Sequence, residues 1–371
     1  MLTLNSGSSS LKFGLYRAQG GVVEGLLSGQ ALGLGGTADD LDAAAAAAVA
    51  LIAPQVAAQV LSPQVLAHRI VHGGPQVRQH SRITPALLVN LAAGSAFAPL
   101  HTAAALALVR AAAAQWPGLP QVACLDTCFH ADMPAVAHTL PLPQALRDKG
   151  LQRYGFHGLS CESVLRQLAG ARPARLLIAH LGHGASVTAV LNGCSIDTSM
   201  GLTPAGGLVM GTRSGDLDPG LLLHLLRQEG LSVQALEDLV NRGSGLLGVS
   251  GLSSDMRQLH AAEGSHAGAR LAIQLFCYAA AKTLGAMAVA LGGVDQIVFT
   301  GGIGENDPMV RATICARLAC LGVELDGLHN SRARGRISSD ASRCVVQVLP
   351  SQEDEQIARH AWALCQAPAP S

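Results

Sequence analysis

The stretch NSGSSSLK, Asn5 to Lys12, lies between the apolar run MLTL and a second apolar run that starts at Leu11. It is the corner between two strands, and how it is read decides the fold. A hairpin turn needs only two or three residues of the Asn-Gly or Gly-Ser kind and has no use for four hydroxyls. One reading is a polar surface turn. The other is an anion cradle, in which Gly7 lets the backbone approach while hydroxyls, amide N–H groups and Lys12 donate to phosphate oxygens. Residues far down the chain must decide between the two.

Working outward, strand-like runs at Met1 to Leu4, Leu11 to Tyr16 and Val22 to Leu27 read as a β-meander. An Ala-rich helix, Leu41 to Val60, follows and is expected to break at Pro54. A strand from Val65 to Val71 runs into His72-Gly73-Gly74-Pro75, helices follow near Pro85 to Ala93 and Thr102 to Gln115, and a further apolar strand ends at Asp126. The opening pattern then repeats. Arg175 to Ser199 is again an apolar run, a Gly-rich corner and a second strand, with Leu191-Asn192-Gly193 marking the next turn. Two related halves are expected, each opening with a hairpin that faces a cleft. Helices are expected at Pro219 to Gln228, Val233 to Asn241 and Gly268 to Leu291. The run DQIVFTGGIGEND, Asp295 to Asp307, reads as a buried strand, a Gly loop suited to nucleotide phosphate or adenosine, and a helix from Pro308 capped by Asp307. The tail from Glu355 to Cys365 reads as an amphipathic helix ahead of a frayed APAPS end.

Composition sets the outer bounds. At 371 residues the chain exceeds one ordinary core, and 49% hydrophobic residues suffice to build two. Lys+Arg and Asp+Glu balance at 25 each, so no global field favours nucleic acid or an anionic membrane. Only 3% of residues are aromatic, which leaves few platforms for stacking single-stranded bases. Nine scattered cysteines without a CxxC pair fit reduced thiols in the cytoplasm and argue against disulfides and structural zinc. No basic and apolar leader precedes the first strand, and Ala43 to Ala67, cut by Pro54 and Pro63, reads as helix of a water-soluble protein.

Several charged residues sit where strands end. HRIVHGG puts Arg69 inside an apolar strand, where an unpaired charge costs several kcal/mol, so it must reach a carboxylate, a phosphate or water. LDTCFH puts Asp126 in the corresponding place. RYGFHG offers His157 behind two aromatics, GLVMGTRSGDLDPG sets Arg213 among glycines, and QEDEQIA places Glu353 where a strand meets the last helix. Each has a plainer reading as well: Arg69 with Asp126 as a buried ion pair, His157 as a core histidine, Glu353 as an acid favoured at a helix N-terminus.

Taken together these strings closely resemble the acetate kinase family. NSGSSSLKF, HRIVHGG, APLH, DTCFH, RYGFHG, HLGHGASV, DTSMGLTPAGGLVMGTRSGDLDP, SSDMR, FTGGIGEN and PSQEDEQIA occur in the family's order from residue 5 to residue 358. The resemblance implies an α/β fold of two ribonuclease-H-like, actin-like ATPase domains with mixed sheets, one formed by residues 1–127 with 355–371 and the other by 128–354. It implies reversible transfer of phosphate from ATP to acetate with Mg²⁺, or Mn²⁺ as an alternative, in a cytoplasmic homodimer that uses neither nucleic acid nor membrane. By the family's pattern Arg69 and Arg213 hold the carboxylate and the transferring phosphoryl group, and His157 stabilises that group. Asn5, Ser8, Ser10 and Lys12 line the phosphate path, with His180, His183 and Gly184 alongside. Asp126 and Glu353 position substrate and metal, with Asn5 as a further metal ligand. The adenosine site falls on Asp255, Met256, Arg257, Gly302, Ile303 and Asn306, and the acetate-methyl pocket on Val71, Leu100 and Phe156. In-line transfer to an anionic oxygen needs positioned reactants and positive charge and no strong general base, which two arginines, a histidine and a metal supply.

The chain also departs from the family strings. His183 stands where the family has Asn in HLGNGAS, Thr102-Ala103 follows APLH in place of Asn-Pro, RYGFHGTSH becomes RYGFHGLSC, and TPLEG becomes TPAGG. Propionate or another short acid as acceptor, an unusual phosphoryl donor, and a non-catalytic nucleotide-binding protein of the same fold remain as alternatives.

Overall fold

The computed structural model describes residues 1–6, 10–32, 40–59, 62–170, 172–332 and 334–366, so the terminal APAPS lies outside the described residues. The chain forms two compact units, Met1–Ala131 with Gly158–Ser163 and Gln352–Ser371, and Asp132–His157 with Val164–Ser351.

In the first unit a six-stranded sheet has the order β3-β2-β1-β4-β6-β5. Its strands are β1 (Leu2–Ser6), β2 (Ser10–Gln19), β3 (Val22–Leu32), β4 (Leu66–Ile70), β5 (Ser81–Arg82) and β6 (Gln121–Leu125). β1, β4 and β6 are parallel, while β2, β3 and β5 are antiparallel to their neighbours. Strand alternation divides the side chains between two cores. Leu2, Leu4, Leu11, Phe13, Leu15 and Leu66 meet Ala48, Val49, Ile52 and Val56 of the helix Leu41–Ala57. From the other face, Val65, Ala67, Val122 and Cys124 meet Leu159 and the C-terminal helix residues Ile357 and Ala361. Each fully buried Leu or Phe contributes about 1.5–3 kcal/mol. Phe13 needs a bare backbone opposite: a Cβ on Gly29 would stand 2.4 Å from its ring.

Two expectations change here. The helix Leu41–Ala57 runs through Pro54, because the ring removes a single N–H within the last turn and the Ala58 amide still closes on Pro54 O at 3.0 Å. The segment Gly158–Ser163 belongs with the first unit although it lies inside the expected 128–354 domain, since Leu159 is buried in the core beneath the C-terminal helix.

The second unit repeats the plan. Its sheet, in the order β11-β12-β10-β7-β8-β9, comprises β7 (Arg175–Leu181), β8 (Ala185–Leu191), β9 (Cys194–Thr198), β10 (Gln296–Thr300), β11 (Gly335–Arg336) and β12 (Val345–Val348). β7, β10 and β12 are parallel and the other three are antiparallel to their neighbours, so strand directions match the first sheet when this order is read from β9 to β11. The helix Ala267–Ala290 lays Ala269, Ile273, Phe276, Ala280, Leu284 and Met287 toward the interior and packs on β7 and β8. It is long and apolar enough to cross a membrane by length and composition alone.

Candidate active site

In the first unit the parallel strands β1, β4 and β6 end beside one another and deliver Asn5, Arg69 and Asp126. Arg69 grips one oxygen of the fully buried Asp126, with Nε and NH2 at 2.9 and 2.5 Å from Oδ2. Its NH1 donates to Asn5 Oδ1 at 3.3 Å, and Asn5 Nδ2 donates to Asp354 Oδ1 at 2.8 Å and Glu353 Oε2 at 3.4 Å. One ion pair and two further carboxylates are thereby chained through one amide. Burial pushes the Asp126 carboxyl up to about 6 against the pull of Arg69, with Glu353 and Glu162 adding to the rise. Against the cost of its own burial, Asp126, Glu353 and Asp354 hold the Arg69 guanidinium more firmly charged than a free arginine. The two shifts point opposite ways about one contact, and the forked geometry decides for an ionised pair at neutral pH. Asp126 Oδ1, buried, has no partner among the described residues. Beside it stand Glu353 and Asp354, and the Asp354 carboxyl is raised by burial against its bond from Asn5.

This set of hard carboxylate oxygens fits a magnesium-like ion that keeps several of its waters. Glu353 and the orphaned Asp126 Oδ1 are the atoms suited to hold it or its waters. Asn5 is oriented differently from the expected metal ligand: its amide nitrogen faces the acids and its oxygen faces Arg69. Asp354 had no part in the expected site. The signal available was the acid run of QEDE, but a helix N-terminus attracts acids for its own reasons.

In the second unit His157 has left-handed backbone, φ 58° and ψ 26°, at the start of the helix Gly158–Gln167. A non-glycine residue held there costs about 1–3 kcal/mol, an expense associated with functional positions. Its ring lies on the cross-strand pair His180 and Ser186: it stacks on His180 with centroids 4.1 Å apart, and Nδ1 is 2.9 Å from Ser186 Oγ. The β7–β8 corner, Gly182-His183-Gly184, is the counterpart of the β1–β2 corner. A Cβ on Gly184 would come within 3.2 Å of His157 Nε2 and 3.5 Å of Arg213 NH1, so the histidine, the arginine and this bare corner are one cluster. Arg213 NH1 also donates to Pro204 O at 3.2 Å. His183 packs on Gly211, where any side chain would collide with the imidazole. Burial and the nearby Arg213 lower its pKa, against Asp255.

Beyond β10 the chain turns at Gly301, whose φ of 79° and approach to Leu181 O exclude a side chain, into the short helix Gly301–Asn306. Gly302, Ile303 and Asn306 lie on it, and Asn306 Nδ2 donates back to Gly302 O. Asp255 caps the helix Met256–Ala262 and pairs at 2.6 Å with the exposed Arg257, while Met256 is buried. Two supports of the Gly loop escaped the sequence reading. Glu305 Oε1 accepts from the Gly301 and Ser351 amides, and the fully buried Arg311 spends its guanidinium on Gly304 O, Glu305 O and both oxygens of Asn330. A lone arginine in an amphipathic helix carries no sequence signal that it points inward.

Of the remaining expected residues, Lys12 is exposed on β2, whereas Val71 and Phe156 are buried. Ser8 lies outside the described residues, as do the side chains of Ser10 and Leu100.

Comparison with known proteins agrees over nearly the whole chain. Residues 1–359 match the Acetokinase family. The acetate kinase of Rhodopseudomonas palustris is 42% identical over 98% of both chains. The crystal structure of Porphyromonas gingivalis acetate kinase aligns with a TM-score of 0.82 at 33% identity, covering 98% of this chain and 99% of that one. A propionate kinase from Francisella tularensis aligns at 0.84 with 34% identity and the same coverage. The two mixed sheets therefore have the actin-like α/β architecture expected from the sequence, and the chain belongs to the acetokinase family.

Proposed function

We propose that this protein transfers the terminal phosphoryl group of ATP to the carboxylate of acetate, giving acetyl phosphate and ADP, by direct and reversible transfer. The observation that carries the reading is the forked Arg69–Asp126 pair at the adjoining ends of β4 and β6, in a chain whose residues 1–359 match the acetokinase family. Asp126 fixes Arg69 from behind, which leaves NH1 as the nitrogen directed to Asn5 and to an incoming carboxylate. The acceptor oxygen is already anionic, so the site needs no base to activate it. Arg69, Arg213 and His157 supply positive charge and hydrogen bonds to the phosphoryl oxygens as charge spreads over them. His157 is held for this role by the stack on His180 and the bond to Ser186. Asp255, Met256, Arg257, Gly302, Ile303 and Asn306 bind the nucleotide. Glu353 and the Asp126 carboxylate would hold Mg²⁺, which would supply neutralising charge to the phosphates.

Acetate is the preferred acceptor, and the buried Val71 limits longer acids, although one methylene is worth only about 1–3 kcal/mol. The likeness to a propionate kinase supports propionate as a second substrate. We further propose a homodimer, supported by the exposed Leu271, Tyr278 and Val289 along one side of the helix Ala267–Ala290. Hydroxylamine trapping of the acyl phosphate, with acetate, propionate and butyrate as acceptors and ATP and pyrophosphate as donors, tests the reading. ATP-dependent acetyl hydroxamate is expected. Nucleotide binding without hydroxamate would leave a nucleotide-binding protein of the same fold.

A further inference from the structure

Behind the Arg69–Asp126 pair, within the first unit, lies a second polar cluster with no part in the proposed chemistry. His80 Nε2 is 3.3 Å from Glu162 Oε1 and His360 Nε2 is 2.6 Å from Glu162 Oε2, and the two rings meet at 3.9 Å between centroids. Two imidazoles and a carboxylate within such reach have the composition of a transition-metal site. The proton positions argue otherwise. The Leu125 amide donates to His80 Nδ1 at 3.0 Å, so that nitrogen presents its lone pair and Nε2 carries the ring hydrogen toward Glu162. At 2.6 Å from the ionised Glu162 carboxylate, His360 Nε2 also carries a hydrogen, and the Gln356 amide, whose nitrogen stands 3.1 Å from the same atom, must then turn its oxygen toward it. A metal ion requires the opposite, a lone pair at each Nε2. Against its own burial, the hydrogen bonds from His360 and His80 hold the Glu162 carboxyl down at about 2, as an acceptor of both.

The cluster joins three pieces of chain. β5 is only two residues long and pairs with β6 at Ser81 opposite Ala123, so the strand has ended where the Leu125 amide reaches for its next acceptor. The neighbouring Asp126 donates its amide to Ile70 O at 3.0 Å and accepts from the Gly158 amide at 2.8 Å. Glu162 lies one helical turn beyond Gly158, and His360 lies on the helix that opens with Glu353 and Asp354.

We propose that His80, Glu162 and His360 form a positioning node for the carboxylate-binding end of β6, in which the His80 ring replaces the ladder acceptor that β5 does not reach. This rests on the acetate-kinase reading, because it is the acceptor carboxylate that a displaced Asp126 and Arg69 would hold less well. The node is distinct from the nucleotide-binding residues of the second unit. Loss of the His80 ring therefore affects the acetate parameters and leaves those of ATP.

The test compares wild type, His80→Ala and His80→Asn by steady-state hydroxamate kinetics, with acetate and ATP varied in turn. Asn is the conservative variant, since its Oδ1 reaches the place of Nδ1 and again accepts from Leu125. His80→Ala is expected to lose about tenfold in kcat/KM for acetate, the scale of one buried hydrogen bond, with KM for ATP unchanged. His80→Asn is expected to recover most of that loss. The ¹⁵N spectrum of the wild-type histidines should show His80 protonated at Nε2 and bare at Nδ1, a result that does not depend on any variant folding. Unchanged acetate kinetics in His80→Ala, equal losses for both substrates, an Asn variant no better than Ala, or a ring protonated at Nδ1 would each overturn the node. So would tight Zn²⁺ binding by calorimetry that His80→Asn abolishes, which would make the cluster a metal site. A wild type inactive toward acetate counts against the functional reading, and the ring tautomer then decides the node by itself.

Discussion

The two units share one sheet plan and end it in different side chains. β1, β4 and β6 of the first correspond to β7, β10 and β12 of the second in order and direction. In the first, the strand ends carry ionised side chains, Arg69 at the end of β4 and Asp126 just beyond β6. In the second, the end of β10 opens into Gly301 and a helix of bare glycines, supported from beneath by Glu305 and a buried Arg311. Fixed charges suit a small carboxylate, which needs a cation of set geometry. Backbone amides and open glycines suit a large nucleotide, which needs close approach along its length. The same ladder thus ends in fixed charges in one unit and in open backbone in the other.

The predictions press on that division, beginning with the largest. Arg213→Ala is expected to lower kcat at least ~10²-fold, the scale of losing one donor to transition-state charge, in steady-state hydroxamate assays. Near-normal turnover would remove Arg213 from the reaction. Arg311→Met tests whether the second unit depends on its buried guanidinium. Four oxygens would lose their donor, and chemical denaturation should report a loss of about 3 kcal/mol or more together with a raised KM for ATP. A stable variant with normal ATP parameters would show that the loop stands without it.

A third prediction concerns pH. With the Asp126 carboxyl raised to about 6, the group gains its proton as pH falls through that region and its hold on Arg69 weakens. The kcat/KM for acetate should therefore decline below about pH 6, and KM for ATP should not follow it. Asp126→Asn should abolish that limb at a lower overall rate. The smallest effect is expected at His183. Its lowered pKa leaves a neutral ring at neutral pH that still donates one hydrogen bond, so His183→Asn should change KM for ATP by no more than about threefold. A larger change, or a switch of donor to pyrophosphate, would make this residue a determinant of donor choice.

Much of this was legible in the sequence because its signals are local. Alternation placed β1 and β2, Gly-rich corners marked both hairpins, and unpaired charges in apolar runs pointed to Arg69 and Asp126. What escaped were contacts that join distant segments. Nothing in SCES tells that Glu162 meets His80 and His360, and QEDE does not show that Asp354 bonds Asn5 more closely than Glu353 does. Left-handed backbone at His157 was equally hidden, since a histidine there has no sequence mark of the kind glycine provides. The run through Pro54 reflects a general cause: packing of Val49, Ile52 and Val56 in the core outweighs one missing amide.

The division of labour is tested most directly by Arg69→Ala, measured twice on one preparation, by calorimetric titration with Mg-ATP and by hydroxamate turnover with acetate. The account predicts an unchanged Kd for the nucleotide and a turnover reduced by at least ~10²-fold. Nucleotide affinity lost along with activity, or turnover close to that of the wild type, would contradict it.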